Sequence, residues 1–386
     1  MFAVGLMSGT SLDGIDAALV KINGVGKNTN VELIDFLTLS LPSDVKEEIK
    51  IACSEDKSSV DLICSLNFKL GKLFAEATKN VCIKAGFDIE KLDFIASHGQ
   101  TIYHLPNSRE NLVPSTLQIG EPAVIAYETG VKVISNFRVM DMAAGGEGAP
   151  LVPYSEYVLY GSDKENVALQ NIGGIGNVTV IPKGGDIDRI FAFDTGPGNM
   201  IIDEVVLRLF NLSYDADGKI AATGNVQEDM LDDLMSHPYI YALPPKTTGR
   251  EDFGEQFVDK LLEKYKNKKP EDILATVTMF TAKSIAENYK KFIIDKVDLN
   301  KAVIGGGGAH NKTLLSYLKK ELPTIEIVTQ DDIGLSSDAK EAIAFVILGN
   351  ETLHNGFSNV PSATGAKDKV ILGNITPSPI RRNKHE

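Results

Sequence analysis

Apolar and polar positions along the first 40 residues predict three strands joined by short turns. The apolar runs are "FAVGLM", "IDAALVKI" and "VELIDFLTLSL", and their lengths and patterns favour strands over helices. Between the first two runs lies "SGTSLDG", small and hydroxyl residues that are typical of a tight turn. The chain is therefore predicted to open with a hairpin followed by a third strand.

Helical periodicity follows over residues 43–54 and 60–85. "LDFIASHGQ" predicts a strand that ends in polar residues, "GEPAVIAYETG" a short helix and "VKVISNF" another strand. "DMAAGGEGAPLVP" is rich in Gly and Pro and predicts a domain junction. We place the domains at residues 1–144 and 145–386. The pattern leaves open whether residues 357–386 stay with the second domain or return to the first.

The opening pattern recurs beyond that junction. "NVALQNIGGIGNVTVIP" reads as strand, Gly-rich turn and strand, and "RIFAFDTGPGN" as a third strand. After a mostly helical stretch, "KAVIGGGGAHNKTLLSYLKKEL" predicts a strand, a Gly-rich loop and a helix. We therefore expect two α/β domains with similar openings, and a cleft between them that the Gly-rich tips face.

Composition narrows the choice of partner. The chain of 386 residues suits two domains, and 39 basic against 52 acidic residues leave a net charge of −13. Such a surface repels nucleic acid and anionic membranes. The longest apolar runs, such as "AIAFVIL", are far shorter than the roughly 20 residues of a membrane span, and no secretory leader is recognisable. Cys53, Cys64 and Cys82 are expected to be reduced core residues of a cytosolic protein.

The Gly-rich tips have the composition of phosphate-binding loops. Backbone N–H groups can surround a phosphate where the chain bends tightly and no Cβ blocks the approach. One such tip alone would be read as an ordinary hairpin turn, but three tips, each after an apolar strand, favour phosphate binding. "GGGAHNKT" nearly matches a P-loop, with Asn311 in place of the second Gly. It also nearly matches a dinucleotide fingerprint, with Glu326 as the ribose acid. Neither template explains the other two tips.

Three carboxylates are candidates for chemistry. Asp194 follows the strand "FAF" and precedes "TGPGN", where it could take a proton from an attacking oxygen. The alternative is an Asp that caps a turn or a helix. Asp13 and Asp16 could orient Mg²⁺ through water.

The histidines are weaker candidates. His98 and His104 lie too close to loop residues to be interpreted as ligands, and His310 is interpreted as a loop residue. Without three converging histidines or an H-E-x-x-H pattern, a catalytic zinc is disfavoured.

These residues resemble one known family. "GLMSGTSLDGIDAAL", "SHGQTIYH", "TLQIGEPAVIA", "DMAAGGEGAPLVP", "NIGGIGNVT", "FDTGPGN", "PPKTTGREDF", "GGGGAHN", "DAKEAIAF" and "PSATGA" occur in the order typical of the anhydro-N-acetylmuramic acid kinases of bacterial cell-wall recycling. The resemblance runs nearly end to end, and the first motif and "FDTGPGN" are its most specific parts.

The resemblance implies an α/β, two-domain actin/hexokinase-like (ribonuclease-H-like) fold with a central ATP cleft. It also implies ATP and Mg²⁺ as cofactors, a homodimer and a cytoplasmic location. The implied ATP-binding residues are Gly9, Thr10, Ser11, Leu12, Asp13, Gly14, Ile15 and Asp16 in the first tip, Gly173 and Gly174 in the second, and Gly305, Gly306, Gly307 and Gly308 beside the adenosine.

The implied reaction opens a sugar that has no free 6-hydroxyl. Asp194 would be the general base that activates water to attack the anomeric carbon of 1,6-anhydro-N-acetylmuramic acid. The released O6 would then take the γ-phosphoryl group of ATP, giving N-acetylmuramic acid 6-phosphate and ADP. Charge that builds on O6 can be absorbed by the neighbouring phosphorus and its magnesium ion.

The implied sugar site is less specific. Glu341 matches a family Glu near the sugar, while Arg138, Lys246 and Arg250 are rival partners for the lactyl carboxylate, each with solvated surface charge as the alternative. Asn136 stands where the family has Asp, and Glu147 where it has Gln.

These two departures keep a second substrate open, another 1,6-anhydrosugar such as levoglucosan. A chaperone-like ATPase on the same fold and a nicotinamide-dependent oxidoreductase are the competing classes.

Overall fold

The computed structural model describes residues 1–9, 12–109, 111–244, 246–333 and 339–379. The chain divides into two compact units. The first unit comprises Met1–Tyr160 and Asp338–Glu386, and the second comprises Gly161–Ser337.

Helices and strands alternate along both units. The strands are β1 (Phe2–Ser8), β2 (Gly14–Asn23), β3 (Asn30–Ser40), β4 (Phe94–Leu105), β5 (Ser115–Ile119), β6 (Val133–Ser135), β7 (Asn166–Ile172), β8 (Ile175–Ile181), β9 (Phe191–Pro197), β10 (Leu299–Gly305), β11 (Glu326–Thr329) and β12 (Asn374–Thr376). The α-helices are α1 (Ser43–Ala52), α2 (Val60–Lys84), α3 (Pro122–Thr129), α4 (Val139–Ala143), α5 (Val152–Tyr160), α6 (Asn199–Phe210), α7 (Glu228–Met235), α8 (Pro238–Tyr241), α9 (Arg250–Phe253), α10 (Glu255–Lys264), α11 (Pro270–Tyr289), α12 (Lys312–Glu321), α13 (Lys340–Leu353) and α14 (Pro361–Thr364). Short 3-10 turns cover Gly26–Asn28, Ile89–Lys91, Ile187–Arg189, Ala216–Gly218, Ala221–Thr223, Gly307–His310 and Asp331–Ile333, and a π-turn covers Lys290–Ile294.

The two sheets share one strand order. In the first unit the order is β12-β6-β4-β1-β2-β3, and β5 pairs with β4; in the second it is β11-β10-β7-β8-β9. In each unit the first strand pairs antiparallel with the second and parallel with the fourth. The duplication predicted from the two hairpin openings is therefore confirmed, and with it the actin/hexokinase-like α/β fold class.

Both faces of the first unit's sheet are buried, because successive residues of the central strand β1 point to opposite faces and each face is covered by a helix. Val4 and Leu6 of β1 face the core formed with α2, where Phe74 is fully buried. Gly5, between them, faces α13, and a Cβ there would overlap the carbonyl oxygen of Ala342. Gly5 therefore lets α13 lie directly against the sheet.

Two apolar cores support the second unit. One core joins the sheet to α11 and α12 through residues such as Ile172, Val180 and Leu314. The other packs α6, α7, α10 and α11 around Phe253 and Phe280. The apolar faces of these amphipathic helices pack against the sheet or against one another. Their residue spacing had already indicated helices. Within the described ranges, no helix is both long and apolar enough to cross a lipid bilayer.

The division into units differs from the predicted boundary after residue 144. Helix α5 stays with the first unit because it packs against α13, and Glu156 pairs with Lys340 at 2.6 Å. The last described segment also lies with the first unit, since Ile375 of β12 pairs with Ile134 of β6. The role of the two units as ATPase domains stays a prediction.

Two other expectations were wrong in detail. The strand predicted to stop at "SHGQ" continues to Leu105 as β4 and forms a hairpin with β5, which the sequence pattern did not indicate. Cys82 is buried as expected, but Cys53 and Cys64 are exposed, because each lies on the outer side of its helical segment; all three are free thiols.

The Gly-rich junction is tied to the end of the chain by one buried carboxylate. Asp141 is fully buried. It accepts hydrogen bonds from the Gly148 N–H at 2.9 Å, the Asn359 amide at 2.9 Å and the Thr364 hydroxyl at 2.8 Å. One side chain therefore satisfies donors from two distant stretches of sequence, which explains the acid at the start of "DMAAGGEGAP".

Replacing Asp141 with Ala is expected to destabilise the protein by about 3 kcal/mol or more, because several buried donors lose their acceptor together. Urea unfolding monitored by far-UV circular dichroism measures the change. The exposed Asp56 provides the control: Asp56→Ala should stay within about 0.5 kcal/mol of the parent. Equal stability of the two variants would contradict the structural role of Asp141.

Candidate functional site

Two predicted Gly-rich tips meet at one edge of the second unit's sheet. Strands β7 and β10 are parallel, so Ile172 and Gly305 end side by side. Gly306 has φ +77°, and a Cβ there would lie 2.6 Å from the Asn171 Oδ1 atom. This position needs glycine because a left-handed backbone and close packing coincide. The second and third tips therefore form one continuous surface.

The β7–β8 tip also contacts the start of α6. The Asn199 N–H donates to the Gly173 carbonyl at 2.7 Å, and the Gly198 and Met200 N–H groups donate to the Gly174 carbonyl at 2.9 and 3.1 Å. A Cβ at Gly173 would have no neighbour nearer than 3.7 Å. Packing within the unit thus leaves space beside position 173, and the role of Gly173 in binding ATP stays a prediction.

A cavity of about 600 Å³ lies beside these tips. Gly307, His310 and Asn311, which the sequence analysis named, line it together with residues that it did not name. The full lining is Asn199, Ile202, Asp203, Ser213, Tyr214, Asp215, Ala216, Asp217, Gly307, His310 and Asn311. Burial raises the pKa of Asp203 to about 6. The cavity is large enough for a nucleoside, and its mixture of carboxylate, hydroxyl and imidazole groups suits a polar ligand.

The P-loop alternative does not fit this geometry. Asn311 is the N-cap of α12, and its side chain accepts from the Leu314 N–H at 3.0 Å. Lys312 is exposed and lies 3.5 Å from Asp217. The residue that would replace the second P-loop glycine thus starts a helix instead of shaping a phosphate loop.

Asp194 lies in β9, at the same edge. The strand continues past it to Pro197 instead of ending at "FAF". Its Oδ2 accepts from the Thr248 N–H at 3.0 Å, and no described residue donates to Oδ1. Burial raises the pKa of Asp194, while the Thr248 N–H and then the Lys246 charge oppose that rise. A half-buried carboxylate with one oxygen held and the other available is suited to accepting a proton.

Lys246 does not lie where a substrate carboxylate could reach it. It is 7% exposed, and its Nζ donates to the carbonyl oxygens of Tyr239 at 3.0 Å and Ile240 at 3.2 Å. The ammonium thus points into the protein and gives no support to the expectation that Lys246 binds a lactyl group, which stays an untested prediction. Arg250, the first residue of α9, is exposed and remains a candidate.

The first tip belongs to the first unit. Its Thr10 and Ser11 lie outside the described residues. Ser8, just before it, donates to Gln100 Oε1 at 2.7 Å. Leu12, just after it, has φ 59°, a conformation that costs a non-glycine residue about 1–2 kcal/mol. Gly9 lies at the end of β1, and Gly14 and Ile15 begin β2. Backbone strain at this position agrees with a binding role.

The acids of the first tip differ in their surroundings. Asp13 is exposed, whereas Asp16 accepts from the Thr38 hydroxyl at 2.6 Å. Glu341, on the first turn of α13, is near enough to Asp16 for their charges to interact. Burial and then the Asp16 charge raise the pKa of Glu341, whereas the charges of Lys340 and Arg138 lower it. No group of three or more potential metal ligands occurs in the part of the chain that the structure describes.

Arg138 is held by a histidine that the sequence analysis discounted. His98 is a buried residue of β4. Its Nε2 lies 3.0 Å from the Arg138 Nε, and its Nδ1 lies 2.8 Å from the Gly99 carbonyl. Since arginine can only donate, Nδ1 carries the imidazole proton and donates to Gly99. Burial and the Arg138 charge lower the pKa of His98 to about 3, so the imidazole stays neutral.

The two departures from the family pattern lie near this arginine in sequence. Arg138 Nη1 also donates to the Gly148 carbonyl at 2.7 Å, one residue beyond the exposed Glu147. Asn136 has φ 63°, a left-handed conformation that Asn tolerates well. The substitution at position 136 therefore suits its backbone.

The predicted residues thus form one group in each unit. In the second unit the β7–β10 pairing places Gly305 beside Asn171, close in sequence to Gly173 and Gly174, and Asp194 lies in β9 opposite Asn177 of β8. In the first unit Asp16 and Arg138 are near enough to Glu341 for their charges to interact. Sequence analysis missed His98 as a partner of Arg138, and Thr248 as a donor to Asp194. The motif "SHGQ" contains His98 and the motif "PPKTTGRE" contains Thr248. Both motifs could have drawn attention to these residues, but neither shows which atoms form the hydrogen bonds.

Comparisons with known proteins identify the family. The family model described as anhydro-N-acetylmuramic acid kinase matches residues 1–378. A protein of Clostridioides difficile (strain 630) with that name is 66% identical over 98% of this chain and 99% of its own length. A Bacillus cereus (strain ZK / E33L) protein of the same name is 59% identical over 98% of this chain and 100% of its own length.

A solved structure, the component A of (R)-2-hydroxyglutaryl-CoA dehydratase from Acidaminococcus fermentans, covers 90% of this chain and 96% of its own, with 13% identity and a TM-score of only 0.45. The sequence matches, by contrast, span nearly the whole chain and contain the residues described above. The chain therefore belongs to the anhydro-N-acetylmuramic acid kinase family.

Proposed function

We propose that the protein is an ATP-dependent kinase that opens 1,6-anhydro-N-acetylmuramic acid and phosphorylates O6, as a step in cell-wall recycling. The observation that carries the proposal is the Asp194 carboxylate, held through Oδ2 by the Thr248 N–H, at the sheet edge where two Gly-rich tips meet. The names of relatives that are 59–66% identical support it.

Asp194 removes a proton from water as that water attacks the anomeric carbon. The bond between C1 and O6 breaks, and its electrons stay on O6. The O6 atom then forms a bond to the γ-phosphorus of ATP, and ADP leaves. Because burial raises the pKa of Asp194, its carboxylate is a stronger base than an exposed one.

The Gly-rich tips supply the groups that bind ATP. The tip at Gly173 and Gly174 and the loop at Gly305–Gly308 approach the phosphates through their backbone. Gly174 and Gly307 are exposed, whereas Gly305 and Gly308 pack against Gln330 and Ile172. The cavity that Gly307 lines receives the nucleoside.

Asp13 and Asp16 fit a magnesium ion that keeps most of its water, because such ions use one or two carboxylates together with phosphate oxygens. The ion would neutralise charge on the transferred phosphoryl group.

Arg138 recognises the lactyl carboxylate. His98 and the Gly148 carbonyl hold its Nε and Nη1, and no described residue accepts from Nη2. A guanidinium held in this way loses little freedom when it binds an anion. The alternative substrate, levoglucosan, has no carboxylate to occupy Arg138 and is not the substrate named for the relatives.

The cellular setting follows from the substrates. ATP and a recovered wall sugar meet in the cytoplasm, where three free thiols stay reduced. The protein acts there as a homodimer; sedimentation velocity checks this assembly, and a single species of monomer mass at micromolar concentration would contradict it.

Asp194→Asn should lower turnover of anhydro-N-acetylmuramic acid by about 10²–10⁴-fold, because the amide cannot accept the proton. Formation of the 6-phosphate from ATP, Mg²⁺ and sugar measures it, and in ¹⁸O water the wild type should place the label at the anomeric hydroxyl. The exposed Asp229, changed to Asn, is the matched control and should keep normal turnover. Activity of Asp194→Asn within a few-fold of wild type, or label between carbon and phosphorus, would refute the mechanism.

Gly173→Val should weaken ATP binding by about tenfold or more, a cost of about 1.4 kcal/mol, without unfolding the protein. The new side chain has room within the fold, since the nearest atoms to its Cβ are 3.7 Å away, but it covers the tip. Isothermal titration calorimetry with ATP measures the affinity, and thermal melting reports the fold. Ala192→Val, an exposed change on β9, is the size-matched control. Unchanged ATP affinity in folded Gly173→Val would remove this tip from the ATP site.

Arg138→Ala should reduce kcat/KM for anhydro-N-acetylmuramic acid far more than for levoglucosan. Loss of one partner of a desolvated charge pair costs about 2–5 kcal/mol, or roughly 30-fold and more in kcat/KM. Both sugars are compared in the same coupled assay. Arg208→Ala, which removes an exposed arginine paired with Glu204 and Asp259, should affect neither sugar. Equal losses on both sugars for Arg138→Ala would show that the arginine only supports the fold.

A further inference from the structure

Lys246 occupies an environment that is unusual for a lysine. It is buried, and its ammonium meets two carbonyl oxygens and the faces of two aromatic rings, Tyr239 at 4.7 Å and Phe292 at 5.1 Å. No described carboxylate forms an ion pair with it. A buried ammonium costs free energy that an apolar side chain of similar length would avoid. The position of this charge therefore calls for an explanation beyond packing.

The carbonyl oxygens that Lys246 binds belong to α8, whose Tyr239 also contacts Asp194. The Tyr239 hydroxyl donates to the Asp194 carbonyl oxygen at 3.0 Å. The Asp194 N–H donates to the Lys246 carbonyl at 3.1 Å, and the Thr248 N–H donates to Asp194 Oδ2 at 3.0 Å. Lys246 thus closes a ring of contacts in which α8, the 246–248 segment and Asp194 each hold the other two.

We propose that Lys246 is a positioning residue for Asp194: it ties α8 to the 246–248 segment so that the Thr248 N–H stays on Oδ2, and its positive charge favours the ionised carboxylate. The inference rests on the proposed role of Asp194 as the base. It replaces the role in sugar binding that the sequence suggested for Lys246.

The charge is present at neutral pH. Burial lowers the pKa of Lys246 to about 8, with Asp194 acting against the shift and Lys291 adding to it. The pKa of Asp194 is raised by burial, and the Thr248 N–H and the Lys246 charge lower it. The other titratable groups around this ring are His237, Tyr239, Asp252 and Lys291.

Asp252 and Lys291 do not replace Lys246. Asp252 accepts from the Thr248 hydroxyl at 2.7 Å and carries the same charge as Asp194. Lys291 lies over the Tyr241 ring at 4.0 Å on the exposed surface. Neither residue donates to the carbonyl oxygens of Tyr239 and Ile240. Loss of the Lys246 charge should therefore raise the pKa of Asp194.

The test is the pH dependence of kcat/KM for anhydro-N-acetylmuramic acid in Lys246→Met and Lys246→Arg. Activity requires ionised Asp194, so kcat/KM rises with pH through the pKa of that residue. Removing a positive charge raises this pKa, and the acid limb of Lys246→Met should move to higher pH by about 1 unit, the lower end for a nearby opposite charge. Lys246→Arg keeps the charge, and its limb should stay near that of the wild type.

A second measurement follows Asp194 without using activity. The ¹³C NMR titration of carboxyl-labelled aspartate, with the Asp194 signal assigned by its loss in Asp194→Asn, should show the same upward shift in Lys246→Met. Lys291→Met removes a neighbouring exposed lysine and should leave the titration unchanged. If Lys246→Met does not fold, the same titration is measured in Lys246→Gln. That variant also lacks the charge, but its amide can still donate a hydrogen bond to one of the two carbonyl oxygens.

The outcomes separate the two claims. An upward shift in both measurements supports the inference. An unchanged Asp194 titration in a folded, uncharged variant overturns it, whatever the activity. If Asp194→Asn is as active as wild type, the proposed base is wrong, while the NMR titration still decides whether Lys246 acts on Asp194.

Discussion

The parallel pairing of the first and fourth strands in each sheet determines where the Gly-rich tips lie. β1 pairs with β4, and β7 with β10. Since a hairpin follows the first strand on its other side, its tip and the carboxyl end of the fourth strand meet at one edge. Ser8 beside Gln100, and Asn171 beside Gly305, are the two instances of this arrangement. Chemistry is concentrated at such edges because side chains and loops there are not covered by the sheet.

Local pattern was sufficient for the elements whose neighbours are close in sequence. The hairpins around Gly9 and Gly173, and helix α13, follow from periodicity and turn composition alone. The β4–β5 hairpin was missed because residues 106–114 carry the Pro, Asn and Ser of a loop but no two-residue hairpin turn. Nothing local therefore shows that "TLQI" returns to pair with "TIYH". Exposure of Cys53 and Cys64 depends on which face of a helix is covered, which only the tertiary structure decides.

The candidate site was predictable by residue type and not by orientation. Asp194 and the glycines were identified because small residues and an acid after strands are rare enough to attract notice. Lys246 and Arg138 looked equivalent as basic residues near Gly-rich segments. The structure separates them: Arg138 is held by acceptors at its Nε and Nη1 atoms, whereas Lys246 donates to two backbone carbonyl oxygens. The partners of Arg138 are 40 and 10 residues away in sequence, and those of Lys246 are 7 and 6 residues away.

The pairing of β12 with β6 also has a consequence during synthesis of the chain. The second unit is one continuous stretch, so it has all its strands once residue 329 has left the ribosome. The first unit begins the chain, yet it lacks α13 and its edge strand until residue 376 has been made. The β6 edge therefore stays unpaired, and the sheet face around Gly5 stays uncovered, while the later unit is synthesised and folds. The half of the protein that is translated first is completed last, and the nascent chain is most exposed to misfolding or to chaperones in that interval.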